Sequence, residues 1–139
     1  MRYAFAIALS LTVIVGRDAR ADDWPQWRGT KRDGAWTEKG IVGTFPSTGL
    51  APLWRASVGA GWSSPVVAQG RVYVFDSELQ QPLAWERVHC FEETTGKPLW
   101  THRYEVSYPD WAFDPTSVAG PNATPIVRDG KLYTVGATG

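Results

Sequence analysis

The sequence predicts an all-β protein made of short antiparallel sheets. Three observations lead to that class: β-rich runs bounded by turn residues, no long stretch of helical periodicity, and an internal repeat of hairpin-forming segments. The 43% hydrophobic content is ordinary for a globular chain, but tryptophan is heavily used, at positions 24, 27, 36, 54, 62, 85, 100 and 111. Fourteen basic residues balance fourteen acidic ones, giving a formal net charge of zero. Without a long basic run there is no electrostatic footprint for nucleic acid or for an anionic membrane surface, so nucleic acid is set aside as a partner.

The chain opens on Arg2, an apolar run from Tyr3 to Val15, and Ala19-Arg20-Ala21, with small residues at both positions a signal peptidase reads. Residues 1–21 are expected to be a secretory signal cleaved after Ala21, which places the mature protein in the periplasm or outside the cell. The apolar run falls short of the roughly 20 residues that a membrane-spanning helix needs. The one cysteine, Cys90, has no partner for an internal disulfide and does not lie at the cleavage point, where a lipid anchor would require it.

Within residues 65–76, PVVAQGRVYVFD, two β-rich runs, Val66 to Ala68 and Arg71 to Phe75, flank Gln69-Gly70, and a glycine there supplies the positive φ of a tight hairpin. Val72 and Val74 share one face, Arg71, Tyr73 and Phe75 the other. Both faces carry large groups, as in a sheet packed between neighbours. A third run, Arg87 to Phe91, leads into a turn at Thr94 to Lys97 around Gly96, and a fourth, Leu99 to Val106, follows it. Together these four runs make one antiparallel sheet.

The segment repeats. SSPVVAQGRVYVF at 63–75 aligns with ATPIVRDGKLYTV at 123–135 at a constant shift of 60, matching Pro65 to Pro125, Val67 to Val127, Gly70 to Gly130 and Tyr73 to Tyr133. PLW at 52–54 returns at 98–100 with a shift of 46, and SYPDWAFDPTSVAG, 107–120, reads as an insertion between units. Four short strands in a period of about 40 to 50 residues are the signature of β-propeller blades, which bury their faces by radial stacking.

CFEETTGKPLW, residues 90–100, closely resembles the repeat motif of bacterial propellers related to the pyrroloquinoline quinone (PQQ) alcohol dehydrogenases, where an alanine, an acidic residue, Thr-Gly and a tryptophan recur at fixed spacing. The DWPQWRG opening looks like that of secreted members of this family. The resemblance spans residues 22–139. It implies that Trp100 docks between blades and that Thr95-Gly96 turns into the last strand, with Cys90 in place of the alanine and Glu92 in place of the usual aspartate. Trp54 is a weaker copy, since Gly49 lies five residues before it and no Thr-Gly pair sits correctly.

The expected organisation is then a signal at 1–21, an opening segment and partial blade at 22–61, a first complete blade at 62–106, an insertion at 107–122 and the start of a next blade at 123–139. Propellers close with four to eight blades and relatives of this type have seven or eight, so about one and a half blades correspond to the N-terminal part of a larger propeller.

Candidate chemistry is sparse. Adjacent residues on a strand point to opposite faces, so His89 and Cys90 do not form a nucleophile and base, and Cys90 reads as a small buried apolar residue. Two histidines, His89 and His102, and one cysteine do not make a zinc cluster. The acids Glu92 and Glu93 at a turn, Asp76 and Glu78 after a strand, and Asp110 and Asp114 in the insertion form no recognised calcium loop and read as solvated surface. Asn122-Ala123-Thr124 has the form of a glycosylation acceptor. Trp54 and Trp100 recur at the repeat period and are expected to be structural. Trp62, Trp85 and Trp111 stand outside it, near turns or in the insertion, where ligand contacts concentrate. No catalytic or metal residue is assigned, and no cofactor residue is identified.

The resemblance implies two functions. One is a non-catalytic binding or scaffold module of the periplasm or cell envelope with a protein or polymer partner, similar to the scaffold of the outer-membrane barrel assembly machinery but without its lipid-anchor cysteine. The alternative is the N-terminal part of a PQQ-dependent alcohol or sugar dehydrogenase, for which PQQ and calcium would be the cofactors.

Overall fold

A computed structural model describes residues 21–139. The expected signal, apart from Ala21, lies outside the described residues. The protein is all-β. β1 (Val66–Ala68), β2 (Arg71–Gln80), β3 (Leu83–Glu92) and β4 (Pro98–Val106) form a four-stranded antiparallel meander, and β5 (Ile126–Arg128) and β6 (Lys131–Tyr133) form a separate hairpin. One 3₁₀ turn, Asp110–Phe113, interrupts the 107–122 segment. Among the described residues no helix is long and apolar enough to cross a membrane.

The repeat has an exact backbone counterpart. Val66, Val67 and Ala68 pair with Tyr73, Val72 and Arg71, while Ile126, Val127 and Arg128 pair with Tyr133, Leu132 and Lys131. Both hairpins turn through two left-handed residues, Gln69 (φ 55°) with Gly70 (φ 74°) and Asp129 (φ 50°) with Gly130 (φ 71°). Two positive φ values give the twist that matches paired strands. The glycine is therefore only half of the turn. Repeat-equivalent residues also touch, because the Ser64 amide donates to Thr124 Oγ1 at 3.2 Å.

β2 and β3 run further than the sequence reading expected. β2 continues beyond Phe75 to Gln80, and β3 starts at Leu83, with Arg71 paired to Glu92 at one end and Gln80 to Leu83 at the other. Gln81-Pro82, a cis peptide, closes the hairpin. Asp76 and Glu78 accordingly lie inside a strand rather than after one. The segment 22–61 contributes no long strand, only isolated bridges from Trp24 to Val67 and from Ala60 to Ser77.

Strand alternation sorts the meander into two faces. Val66, Ala68, Tyr73 and Cys90 make a buried cluster against which Val127 and Leu132 of the β5–β6 hairpin pack. Burial of each large apolar side chain contributes about 1.5 to 3 kcal/mol. Cys90 is fully buried here, and His89 faces the other way.

At the end of β3 a bulge between Cys90 and Phe91 shifts the register, so that Cys90 opposes Trp100 and Phe91 opposes Pro98. Glu92 organises the turn that follows. Its carboxylate accepts the Thr94 hydroxyl at 2.8 Å and the Thr95 amide at 2.7 Å, and these bonds hold it at about 2, well below the ordinary glutamate value. Gly96 (φ 69°) lies against the Trp54 ring, where a Cβ would come within 2.4 Å of it. Trp54 Nε1 donates to the Glu93 carbonyl at 2.7 Å and its ring meets Phe91 at 6.0 Å. The tryptophan of the first PLW copy thus sits on the Thr-Gly turn that leads into the second. Trp100 of the second copy is 41% exposed, with Tyr73 its aromatic neighbour at 6.0 Å.

Candidate functional site

Polar side chains concentrate in two places on the meander and in one surface region. The first lies on the face of Val72 and Val74. Asp76 and Arg87 oppose each other on β2 and β3, as do Val74 and His89, and Thr101 of β4 opposes His89. Arg87 Nε and Nη2 donate to the two Asp76 oxygens at 2.9 and 2.8 Å, and Nη1 reaches Glu78 at 2.8 Å. His89 Nε2 lies 3.1 Å from Asp76 Oδ2 and Nδ1 lies 3.0 Å from Thr101 Oγ1. A carboxylate only accepts, so Nε2 is the donor to it.

Asp76 is 2% exposed, and its Oδ2 also takes the Gly59 amide. Burial alone pushes this carboxyl up. The bonds from His89, Arg87 and Gly59 outweigh burial and hold it at about 2, while Asp76 in turn raises Arg87. Such a group stays ionised and saturated at neutral pH. It is a poor general base, because its lone pairs are engaged and its proton affinity lies far from the operating pH. Asp76 is therefore a buried ion-pair centre and not the solvated acid that its sequence context implied.

The second cluster was missed in the sequence. Glu86 of β3 is fully buried, on the same face as Ala84, Val88 and Cys90. Its carboxylate accepts the hydroxyls of Tyr104 and Tyr108, the latter at 3.0 Å, and the Ala137 amide at 2.7 Å. Burial first, and then the neighbouring carboxylate, raise both phenols above their usual value. Glu86 thus joins β3, β4, the loop after β4 and the C-terminal segment through one side chain. The available signal was a glutamate on an otherwise small and apolar stripe of alternating positions, since a buried acid needs donors to offset its desolvation.

The aromatic candidates fall apart from one another. Trp62 is 67% exposed and donates to the Val118 carbonyl at 3.0 Å, Trp111 is exposed on the 3₁₀ turn, and Trp85 lies in β3 with the Arg103 guanidinium 3.9 Å from its ring centre. No aromatic pair among the described residues joins the three. Of the remaining acids, Asp114 caps its own turn through the Thr116 amide at 2.7 Å, and Asp110 and Glu93 are not brought to either cluster. Thr124 of the glycosylation pattern has its hydroxyl engaged by Ser64.

The surface region is built by the opening segment. Trp24 exchanges two backbone bonds with Val67, at 2.8 and 3.0 Å, and the Pro25 carbonyl accepts the Val127 amide at 2.8 Å. Val67 and Val127 are repeat equivalents. The segment is thereby pinned across both hairpins, and the turn at 26–34 is held beside β5–β6. Between them lies a cleft of about 800 Å³, lined by Gln26, Thr30, Lys31, Arg32, Arg128 and Tyr133 among others.

Fold and site together define an all-β protein, an antiparallel meander with a second hairpin, whose buried acids Asp76 and Glu86 are matched internally and whose surface holds a cleft between the opening turn and that hairpin. No family model, no curated protein and no solved structure matches this chain.

Proposed function

We propose that the chain is a secreted, PQQ-like β-propeller repeat protein that serves as a non-catalytic binding or scaffold module in the periplasm or cell envelope. The observation that carries this reading is how the polar groups are used. Asp76 is consumed by Arg87, His89 and Gly59, and Glu86 by two tyrosines and a backbone amide, so the buried acids build the sheet. The space open to a partner lies instead beside surface turns on a rigid support, where binding groups concentrate. The propeller reading is supported by the matched registers of the two hairpins and by the hydrogen bond between Ser64 and Thr124, which hold equivalent positions of the sequence repeat.

The test is to purify the mature protein, measure its co-sedimentation with the cell-envelope fraction, and assay dye reduction with alcohols and sugars after adding PQQ and calcium. Saturable envelope binding without dye reduction is expected. Quinone-dependent dye reduction would overturn the reading in favour of an oxidoreductase.

A further inference from the structure

Residues 26–34, QWRGTKRDG, form an unusual turn. Arg28 (φ 65°), Gly29 (φ 77°), Arg32 (φ 58°) and Gly34 (φ 73°) are all left-handed, two of them with full side chains. Such a conformation is unfavourable for a residue with a Cβ and persists only where the surroundings enforce it. Here they do. Gln26 Nε2 donates to the carbonyls of Gly29 and Thr30, each at 3.1 Å, its Oε1 accepts Arg32 Nε at 3.0 Å, and Arg28 Nη2 donates to the Asp33 carbonyl at 3.2 Å. Gly29 is pressed against the Trp24 ring, 2.8 Å from where its Cβ would stand. The result is a fixed turn that presents cations.

The cleft beside it is shared by a second, of about 470 Å³, which also uses Gln26, Arg32 and Ile126 and adds Trp27 and Arg28. Arg28, Lys31, Arg32 and Arg128 line the pair, against one acid, Asp129, which Arg128 meets at 3.4 Å with both side chains largely in solvent. The second cleft also holds an exposed aromatic, Trp27 (62%). Each cleft is within the size range of a ligand site, and their adjacency along the turn suits an extended ligand.

We infer that these neighbouring clefts bind a carboxylated polysaccharide, a sugar ring lying on Trp27 and the carboxylates meeting Arg28, Lys31, Arg32 and Arg128; this rests on the binding-module reading above. Guanidinium groups match carboxylates in bidentate geometry, and flat rings offer apolar area at small entropic cost to the C–H faces of sugars. An inorganic anion has no use for the ring. A nucleic acid needs the wider positive field that a chain of zero net charge does not supply.

The probe is polygalacturonate, titrated calorimetrically into the mature protein beside its methyl ester, which keeps the sugar and removes the charge, and an oligothymidylate of similar length. Binding is expected to weaken at least about tenfold on esterification and at least about tenfold in Lys31→Ala/Arg128→Ala, the weight of one charge-assisted hydrogen bond. Trp27→Ala should weaken both forms of the polymer, and Lys39→Ala, outside the clefts, neither. Equal affinity for the ester, an unaffected double variant, or equally tight oligothymidylate binding would overturn the inference. If the wild type and the cleft variants bind the envelope fraction alike, the cleft assignment fails while the module reading stands. If the wild type binds neither polymer nor envelope, the module reading falls as well.

Discussion

Asp76 and Arg87 face each other directly across the β2–β3 ladder and join through two parallel hydrogen bonds, with Asp76 2% exposed. Removing Asp76 leaves Arg87 with Glu78 alone and takes the acceptor from His89 and the Gly59 amide; breaking buried pairs of this kind costs roughly 3 to 5 kcal/mol. Asp76→Ala is therefore expected to lower stability by about that amount in urea unfolding. The paired change Asp76→Leu/Arg87→Met should recover part of the loss, because the guanidinium goes with its main partner and the Glu78 carboxylate left behind is 27% exposed. Equal damage from the single and paired variants would mean that side-chain shape, and not charge, is what the site requires.

The same carboxyl predicts an acid dependence. It titrates at about 2 in the folded protein against an ordinary aspartate value of 3.8. A depressed folded value means that its contribution, about 2 kcal/mol, is fully present above pH 3.8 and is lost as pH falls from there to about 2. Unfolding free energy followed down that window should fall more steeply in the wild type than in Asp76→Asn.

Glu86→Gln keeps the volume of the buried acid but replaces one acceptor oxygen with an NH₂ at a carboxylate to which three groups donate. A loss of about 1 to 3 kcal/mol is expected. Hydrogen exchange at the Ala137 amide should accelerate more than exchange in β1 or β2, since that amide's acceptor is Glu86 itself.

Two glycines with nearly the same φ separate backbone strain from crowding. Gly130→Ala meets open space and should cost about 1 kcal/mol, the left-handed penalty alone. Gly96→Ala drives a methyl group into the Trp54 ring and should cost clearly more, with a change in tryptophan fluorescence. Thermal unfolding of the two variants side by side makes the comparison.

Cys90 is buried among Val66, Ala68 and Tyr73, and burial pushes its thiol up, opposed by Arg71 and Tyr73. Reaction with a thiol reagent at neutral pH should be slow in the folded protein and should track unfolding when denaturant is added. Fast labelling of native protein would contradict the packing of this face.

Strand positions and the hairpin repeat were legible because alternation and Gln-Gly or Asp-Gly turns act over a few residues. The far halves of β2 and β3 were not. FDSELQ reads as a polar exit from a strand, but Asp76 is matched 11 residues away by Arg87, and the Ser77 hydroxyl 42 residues away by the Ala119 carbonyl. Partners at that separation leave no local pattern. Gln81-Pro82 was a usable turn signal, and it would have set both strand ends. Of the surface region, the DWPQWRG opening was noticed as a motif, but its role in pinning the two hairpins depends on backbone bonds that no side-chain pattern reveals.

The Pro25–Val127 bond has a consequence for how the chain is made. Synthesis runs from the N-terminus, so residues 24–34 emerge early, whereas one of the strands that holds them is completed late. Local pairing in β1 to β4 can form first, but the opening turn must wait for a distant partner, which raises contact order and slows the closing step. Until then its tryptophans and arginines are left bare, and a nascent chain would expose them to whatever surrounds it.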